Sequence, residues 1–427
     1  MYPTPSWMRN RIHYAWIVIA VTFLIMLVTA GIRATPSVMM VPLERGFGWT
    51  RTTISLALAI NLALFGLMGP FAAAAMQRFG MRRTVMIALA VLAGAVALSS
   101  RMNAAWQMVL IWGVLVGGAT GATSTTLGAA VVNRWFTQHR GLAMGILTAS
   151  SATGQLAFLP LMAWVVEHRG WRSIVVLVAI AAAIVLPIVA LLLPERPSAI
   201  GLRRVGEADD APIESARSSA NPIAIAFAAL GKAAKVGDFW LLFFTFFICG
   251  ASTNGYIGTH FIAMCGDYGL SEVRGAGMLA LMGVCDLFGT TLSGWLSDRF
   301  NNRVLLFWYY GLRGLALIFL PFAFGLQYFG LPIFGLFYGL DWIATVPPTV
   351  RLTTDVFGSK DAPVVFGWVV AGHQLGAAFA ALGAGMLRSS LGTYTIATMI
   401  SGGLCVVSAI LVLRINRPNY APAVAAA

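Results

Sequence analysis

Long apolar runs separated by short polar turns set the rhythm of this chain. A helix that crosses a bilayer needs about 20 consecutive apolar residues, since each adds ~1.5 Å across a hydrocarbon layer about 30 Å thick. Such runs predict twelve helices, at about 14–34, 52–76, 83–100, 105–133, 140–164, 172–193, 238–263, 274–297, 304–325, 329–351, 363–387 and 392–413. One long polar interval, 194–237, interrupts the series. It holds Pro194, Pro197, a run from Arg203 to Asp210 and the serine-rich stretch Ser215 to Ser219. That composition is a linker's, and its last part, Ile223 to Val236, could lie on the membrane surface as an amphipathic helix. The expected domains are a six-helix bundle over 1–193, a cytoplasmic linker over 194–237, and a second six-helix bundle with a short tail over 238–427. The tail from Pro418 is expected to lack structure.

The two halves repeat one another. The turn Gly294-Trp295-Leu296-Ser297-Asp298-Arg299-Phe300-Asn301-Asn302-Arg303 is charged and lies between two apolar runs. A weaker copy at Ala73 to Arg83 carries Arg78, Gly80, Arg82 and Arg83, so 64–82 and 285–303 read as one duplicated element. Further on, Arg140-Gly141 with Gly145 and Gly154 precedes Gly170-Trp171-Arg172. Gly367, Gly372 and Gly376 precede Gly392-Thr393-Tyr394 at a similar offset. Parallel six-helix repeats are a known transporter architecture.

Composition removes the soluble classes. Of 427 residues, 59% are hydrophobic and 10% charged, which leaves too little polar surface for a soluble domain of this size. The 45 glycines suit helices that pack closely in lipid. A net charge of +13 invites a nucleic-acid reading. With a cytoplasmic N-terminus, however, most Lys and Arg fall on the cytoplasmic side, the bias that orients membrane helices. Phosphate binding is therefore the poorer explanation. Cys249, Cys265, Cys285 and Cys405 are scattered without metal-ligand spacing, and no metal or cofactor is expected.

The turn 294–303 resembles the loop between helices 2 and 3, and 8 and 9, of the major facilitator superfamily, G-x-x-x-D-R-x-G-R-[RK]. Gly294, Asp298, Arg299 and Arg303 match, while Asn301 and Asn302 replace the Gly and the first basic residue. The first copy keeps Arg78, Gly80 and Arg82 but has Ala73 and Gln77 where Gly and Asp are usual. The resemblance implies an all-α integral membrane protein of twelve transmembrane helices in two pseudo-symmetric six-helix bundles. It also implies a gating role for Arg78, Arg82, Gly294, Asp298, Arg299 and Arg303. Tyr14 to Val18, Phe47 to Arg51 and Gly170 to Arg172 are similar to the monocarboxylate porter and oxalate/formate exchanger branch. Members of that branch carry small carboxylates, often with a proton. The chain departs from it at Thr290, where mammalian members have an Arg four residues after the acid matched by Asp286.

Ionisable groups inside a membrane are costly and are functional candidates by default. Asp286, Arg313, Asp341 and His373 lie about 10 to 12 residues into the eighth, ninth, tenth and eleventh predicted helices, near the midplane. Arg33 lies near the outer end of the first, either to bind an anion with its planar fork or to reach the surface. Asp341 and Arg313 share a depth, so they read as a structural pair or, if unpaired, as proton carrier and anion ligand. The superfamily's peripheral placement of the ninth helix favours the pair. Asp286 falls on a helix that lines the cavity of that fold, where a carboxyl can carry a proton; the alternative is a carboxylate satisfied by hydroxyls of its own, eighth helix and of the seventh. His373 with Gln374 can supply a titratable group and an amide. Asn254, Tyr256 and Trp342 are candidate pocket residues. Pro347-Pro348 predicts a break near the cytoplasmic end of the tenth helix, as a gating bend or a loosened end. Arg351 beside it could join Asp298 or Asp355.

The expectation is a secondary active transporter moving a small organic anion, a monocarboxylate, with protons. It would act as a monomer in a bacterial inner membrane with both termini cytoplasmic. Anion exchange without net proton movement is the nearest alternative. A drug/proton antiporter shares the fold, but Gly145 to Leu159 lacks a Gly-Pro-rich signature. A membrane enzyme lacks its motifs, and a sensor would need no midplane charges.

Overall fold

The computed structural model describes residues 13–156, 158–207, 221–326 and 329–415. The charged and serine-rich part of the linker over 208–220 and the tail from Pro418 lie outside the described residues. Fourteen helices are used below. In the first half they are α1 (Ala15–Phe47), α2 (Arg51–Arg78), α3 (Met81–Ser99), α4 (Ala105–Trp135), α5 (Arg140–Leu156), α6 (Leu159–Arg169) and α7 (Trp171–Leu192). Then follow α8 (Pro222–Ala233), α9 (Gly237–Asp267), α10 (Glu272–Ser297), α11 (Asn302–Gly325), α12 (Gly330–Leu340), α13 (Val346–Leu391) and α14 (Thr395–Val412). Among the described residues ten helices are long and apolar enough to cross a membrane. α5 with α6, and α12 with the start of α13, are the interrupted remainder. The α13 backbone itself breaks at Gly358, whose φ of 75° is a left-handed conformation that glycine adopts without strain.

Several predicted helices differ from the sequence expectation, among them the fifth, which is found as α5 and α6. α1 runs on through Pro36 and Pro42 to a left-handed cap at Gly48, whose N–H reaches Glu44 O. Those prolines remove two ladder bonds without ending the helix, because its buried C-terminal half is held by packing. α4 and α9 each contain a π-helical stretch, Val109–Val116 and Ala251–Ile257. The tenth predicted helix is not one helix but two.

The chain forms two compact units, one of Met1–Trp49 with Leu56–Ile225 and one of Thr50–Ser55 with Ala226–Ala427. In the first, α1 packs on α5 and α7, and α3 on α7. The opening part of the linker folds onto this unit: Val205 N–H donates to Trp135 O, and Val205 O accepts from Thr137 and Gln138 N–H. In the second, α9 packs on α13, α10 on α12 and α11 on α14. The α9–α13 contact depends on missing side chains. A Cβ at Gly250 would overlap His373 O, and one at Gly376 would overlap Phe247 O. Small residues that let backbones meet are how membrane helices associate without a hydrophobic drive. α8 lies where the amphipathic helix was expected, and Trp368 Nε1 donates to its Ala226 O.

Candidate functional site

The polar interior of the second unit is built around the gap between α12 and α13. Proline has no N–H, so Pro347 and Pro348 cannot bond the carbonyls of Ile343 and Ala344 four residues back. The helix accordingly opens into a turn over 341–345 and restarts at Val346. The sequence placed this break at the prolines; it lies on their N-terminal side, where the missing donors take effect. Backbone groups freed inside lipid must find partners in the protein.

Here they find charged ones. Ile343 N–H donates to Asp286 Oδ1 at 2.8 Å, and the same oxygen accepts Thr290 Oγ1 at 2.7 Å. Ser293 Oγ donates to Ala344 O at 2.5 Å. Arg313 Nη2 donates to the carbonyls of Asp341 and Trp342. α10 supplies the face for this: Asp286, Gly289 and Ser293 are buried while Leu287, Phe288 and Leu292 are exposed on the other side. Gly289 permits the approach, since a Cβ there would overlap Leu340 O.

Arg313 is spent on structure. Its Nε meets Asp341 Oδ2 at 2.6 Å and its Nη1 meets Cys249 Sγ at 2.9 Å, besides the two carbonyls. That engages four of its five N–H groups. These bonds are those of the structural alternative, in which Arg313 pairs with Asp341 and holds the break. Asp286, Arg313 and Asp341 are 2%, 1% and 7% exposed, and Asp341 Oδ1 has no donor among the described residues. Two buried carboxyl groups thus accompany one buried guanidinium, which bonds Asp341 and not Asp286. Because the guanidinium stays charged, the trio is neutral only when one carboxyl holds a proton. Thr290 serves Asp286 as a hydroxyl donor.

The other candidates are more dispersed. Tyr256 lies in the π-helical stretch of α9, fully buried, with its hydroxyl on Thr398 Oγ1 and Tyr394 O. Its hydroxyl thus faces α14. Trp342 is buried edge-on against Tyr338. Asn254 shares the π-helical stretch and is half-buried, with Thr259 Oγ1 on its carbonyl. His373 is half-buried and lies 4.8 Å from the Phe246 ring. Gln374 is buried, and its Oε1 has no donor among the described residues. In the first unit Arg33 is half-buried with its guanidinium 4.0 Å over the Phe65 ring. There Asn61, the one buried side-chain amide among the described residues, donates to Trp112 O in the π-helical stretch of α4 at 2.7 Å.

The duplicated turns are held differently. In the first, Glu195 from the linker takes the place of the missing acid: Met81 N–H and Arg82 N–H donate to its carboxylate at 2.7 and 2.9 Å. Arg134 lies 3.6 Å away, and Arg82 reaches back to Ala190 O. Arg78 stacks over Phe79. In the second, the caps are neutral. Asn301 Oδ1 accepts Arg303 N–H, Asn302 bonds Ser297, and Arg303 Nη1 donates to Ile415 O. Arg299 lies over Trp295, Asp298 is exposed, and Gly294 has open space around it. Arg351 meets Asp355 rather than Asp298.

Sequence reasoning missed Ser293 and Glu195, and it missed a cluster at the far end of the second unit. There Asp267 binds both Arg51, at 2.6 and 2.8 Å, and Arg388, at 2.8 and 3.2 Å. Tyr394 Oη accepts from Arg51 and bonds His260 Nδ1. These residues stand at helix ends, where a charge in sequence reads as ordinary solvation.

Comparisons with known proteins bear on what this geometry serves. The family model described as Major Facilitator Superfamily matches residues 22–345. The monocarboxylate transporter 13 of Bos taurus is 25% identical over 393 residues, covering 91% of this chain and 86% of that protein. The gallate transporter of Pseudomonas putida is 24% identical, covering 73% of each. Among solved structures, that of a D-xylose-proton symporter superposes with a TM-score of 0.75 at 15% identity, covering 94% of this chain and 98% of that one.

Proposed function

Because the chain belongs to the major facilitator superfamily of membrane transporters, we propose that it moves a small organic anion, a monocarboxylate, together with protons by alternating access. The observation that carries the proton part is the buried trio of Asp286, Asp341 and Arg313, two carboxyls to one fixed cation. With Asp341 committed to Arg313, Asp286 is the group that takes and gives the proton. The anion part rests on relatives named for monocarboxylates and for gallate, itself a carboxylate. Arg33 attracts the anion, and His373 and Gln374 contribute polar contacts to it. The turns at 73–83 and 294–303 hold one state of the cycle from the cytoplasmic side of a bacterial inner membrane, with both termini on that side.

The test is thermal stabilisation of the purified protein by lactate, pyruvate, benzoate, gallate, oxalate and bulky organic cations, at pH 5.5 and 7.5. A ligand that binds only the folded state raises its melting temperature by mass action. Stabilisation by a monocarboxylate, greater at the lower pH, is the expected result. Stabilisation by the cations alone would replace anion transport with drug export.

A further inference from the structure

The gap between α12 and α13 is tied to α10 at two points of opposite kind. Asp286 accepts the N–H of Ile343, and Ser293 donates to the carbonyl of Ala344, the next residue. Asp286, Thr290 and Ser293 are spaced four and three apart, so they stand in one line on α10. Ser293 occupies the acceptor that Pro348 leaves without an N–H. The two ties therefore hold adjacent peptide groups of the break, and only one of them involves an ionisable group.

We propose that the break over 341–345 is the element that reads the protonation of Asp286, and that Ser293 is the positioning residue that keeps the break in register with it. This rests on the reading of Asp286 as the proton carrier. An ionised Asp286 accepts both Ile343 N–H and Thr290 O–H on one oxygen, a charge-assisted arrangement stronger than a neutral one. Protonation removes that charge and adds an O–H that itself needs an acceptor, so the hold on Ile343 weakens. The groups that face Asp286 and the break are Arg313, Tyr310 and Tyr309 from α11, the last with its hydroxyl also on Ser293, Asp341 from the break, Cys249 from α9, Tyr338 from α12 and Cys405 from α14. Asp341 Oδ1 is the acceptor in that set with no donor among the described residues. Arg313 holds the preceding carbonyls of Asp341 and Trp342 in either state, so the change is confined to the residues just before Val346. A broken helix with a weakened tie at its restart can re-angle its second segment, which carries the motion away from the proton site.

Amide hydrogen exchange of the peptide covering 341–346 tests this in full-length protein in detergent. Labelling times at pH 5.5 and 7.5 are scaled to the intrinsic pH dependence of exchange. In the unaltered protein, protection should be several-fold lower at pH 5.5; equal protection at both would overturn the proposal without any variant. Asp286→Asn should make protection independent of pH, and a retained dependence would assign it to another group. Ser293→Ala should speed exchange several-fold at pH 7.5 and move the midpoint of the pH dependence, with Ser293→Thr restoring both. An unmoved midpoint in Ser293→Ala would leave Ser293 a packing residue only. Proton-driven uptake of the carboxylate that stabilises the protein separates this from the underlying reading. Loss of that uptake in Asp286→Asn, with equal protection at both pH values in the unaltered protein, keeps the proton carrier and rejects the coupling. Retained uptake beside a pH-dependent break that Asp286→Asn abolishes keeps the coupling and rejects the carrier.

Discussion

The two units meet the same problem with different chemistry. Each has helix backbone that leaves its ladder inside the membrane, and each must find partners for the freed groups. In the first unit α4 is interrupted by a π-helical stretch and by a turn at Thr123 and Ser124, and neutral groups serve there: Asn61 takes Trp112 O, and the two hydroxyls take carbonyls of the preceding turn. In the second unit a π-helical stretch in α9 is treated alike, with Tyr338 donating to Ser252 O. The break before Val346, however, is met by Asp286, Arg313 and Asp341. Neutral groups could have capped it, as the first unit shows. Charge is kept, on this account, because the second unit moves a proton as well as holding its helices.

The largest effect expected from breaking this contrast is on stability. Arg313→Ala or Asp341→Ala strands the partner's charge and should cost about 3–5 kcal/mol. Arg313→Met with Asp341→Leu should be less destabilised than either single change, read from unfolding in detergent; additive losses would contradict the pairing. Next, Gly289→Ala forces α10 off the break, and overpacking of this kind costs about 1–3 kcal/mol. Asn61→Ala in the first unit removes one neutral bond, so about 1 kcal/mol is expected, with transport retained. A large loss of proton-driven uptake there would undo the division of labour. Smallest is the pair of turns. Glu195→Ala removes the cap on α3, at a partly exposed carboxylate, and should cost about 0.5–1 kcal/mol. Asp298→Asn, at an exposed side chain, should stay within about 0.5 kcal/mol of the parent.

Much of this was legible in the sequence, for physical reasons that also mark the limits. Lipid demands long apolar runs, so the helices and the fold class could be read directly, as could the intramembrane positions of Asp286, Arg313 and Asp341. Their shared depth anticipated the Arg313–Asp341 pair. Pro347 and Pro348 announced a break but not its place, because proline acts on the carbonyls before it. Ser293 gave no signal, since a serine in a membrane helix has many uses and its partner is a backbone oxygen 51 residues on. Glu195 was hidden for a related reason. Its acid replaces the one missing at Gln77 from a point 114 residues beyond Met81, and only the folded chain brings them together. Tyr256 read as a pocket residue from its helix and position alone, which do not give the direction of its hydroxyl, to Thr398 on α14.

The most direct test of the central claim compares two kinds of flux through Asp286→Asn in proteoliposomes, using the carboxylate that best stabilises the protein. If Asp286 carries the proton, uptake driven by a pH gradient should be lost while exchange of labelled for unlabelled substrate continues. Uptake that still follows the gradient would show that the proton travels by another group, and that the charges at the break serve structure alone.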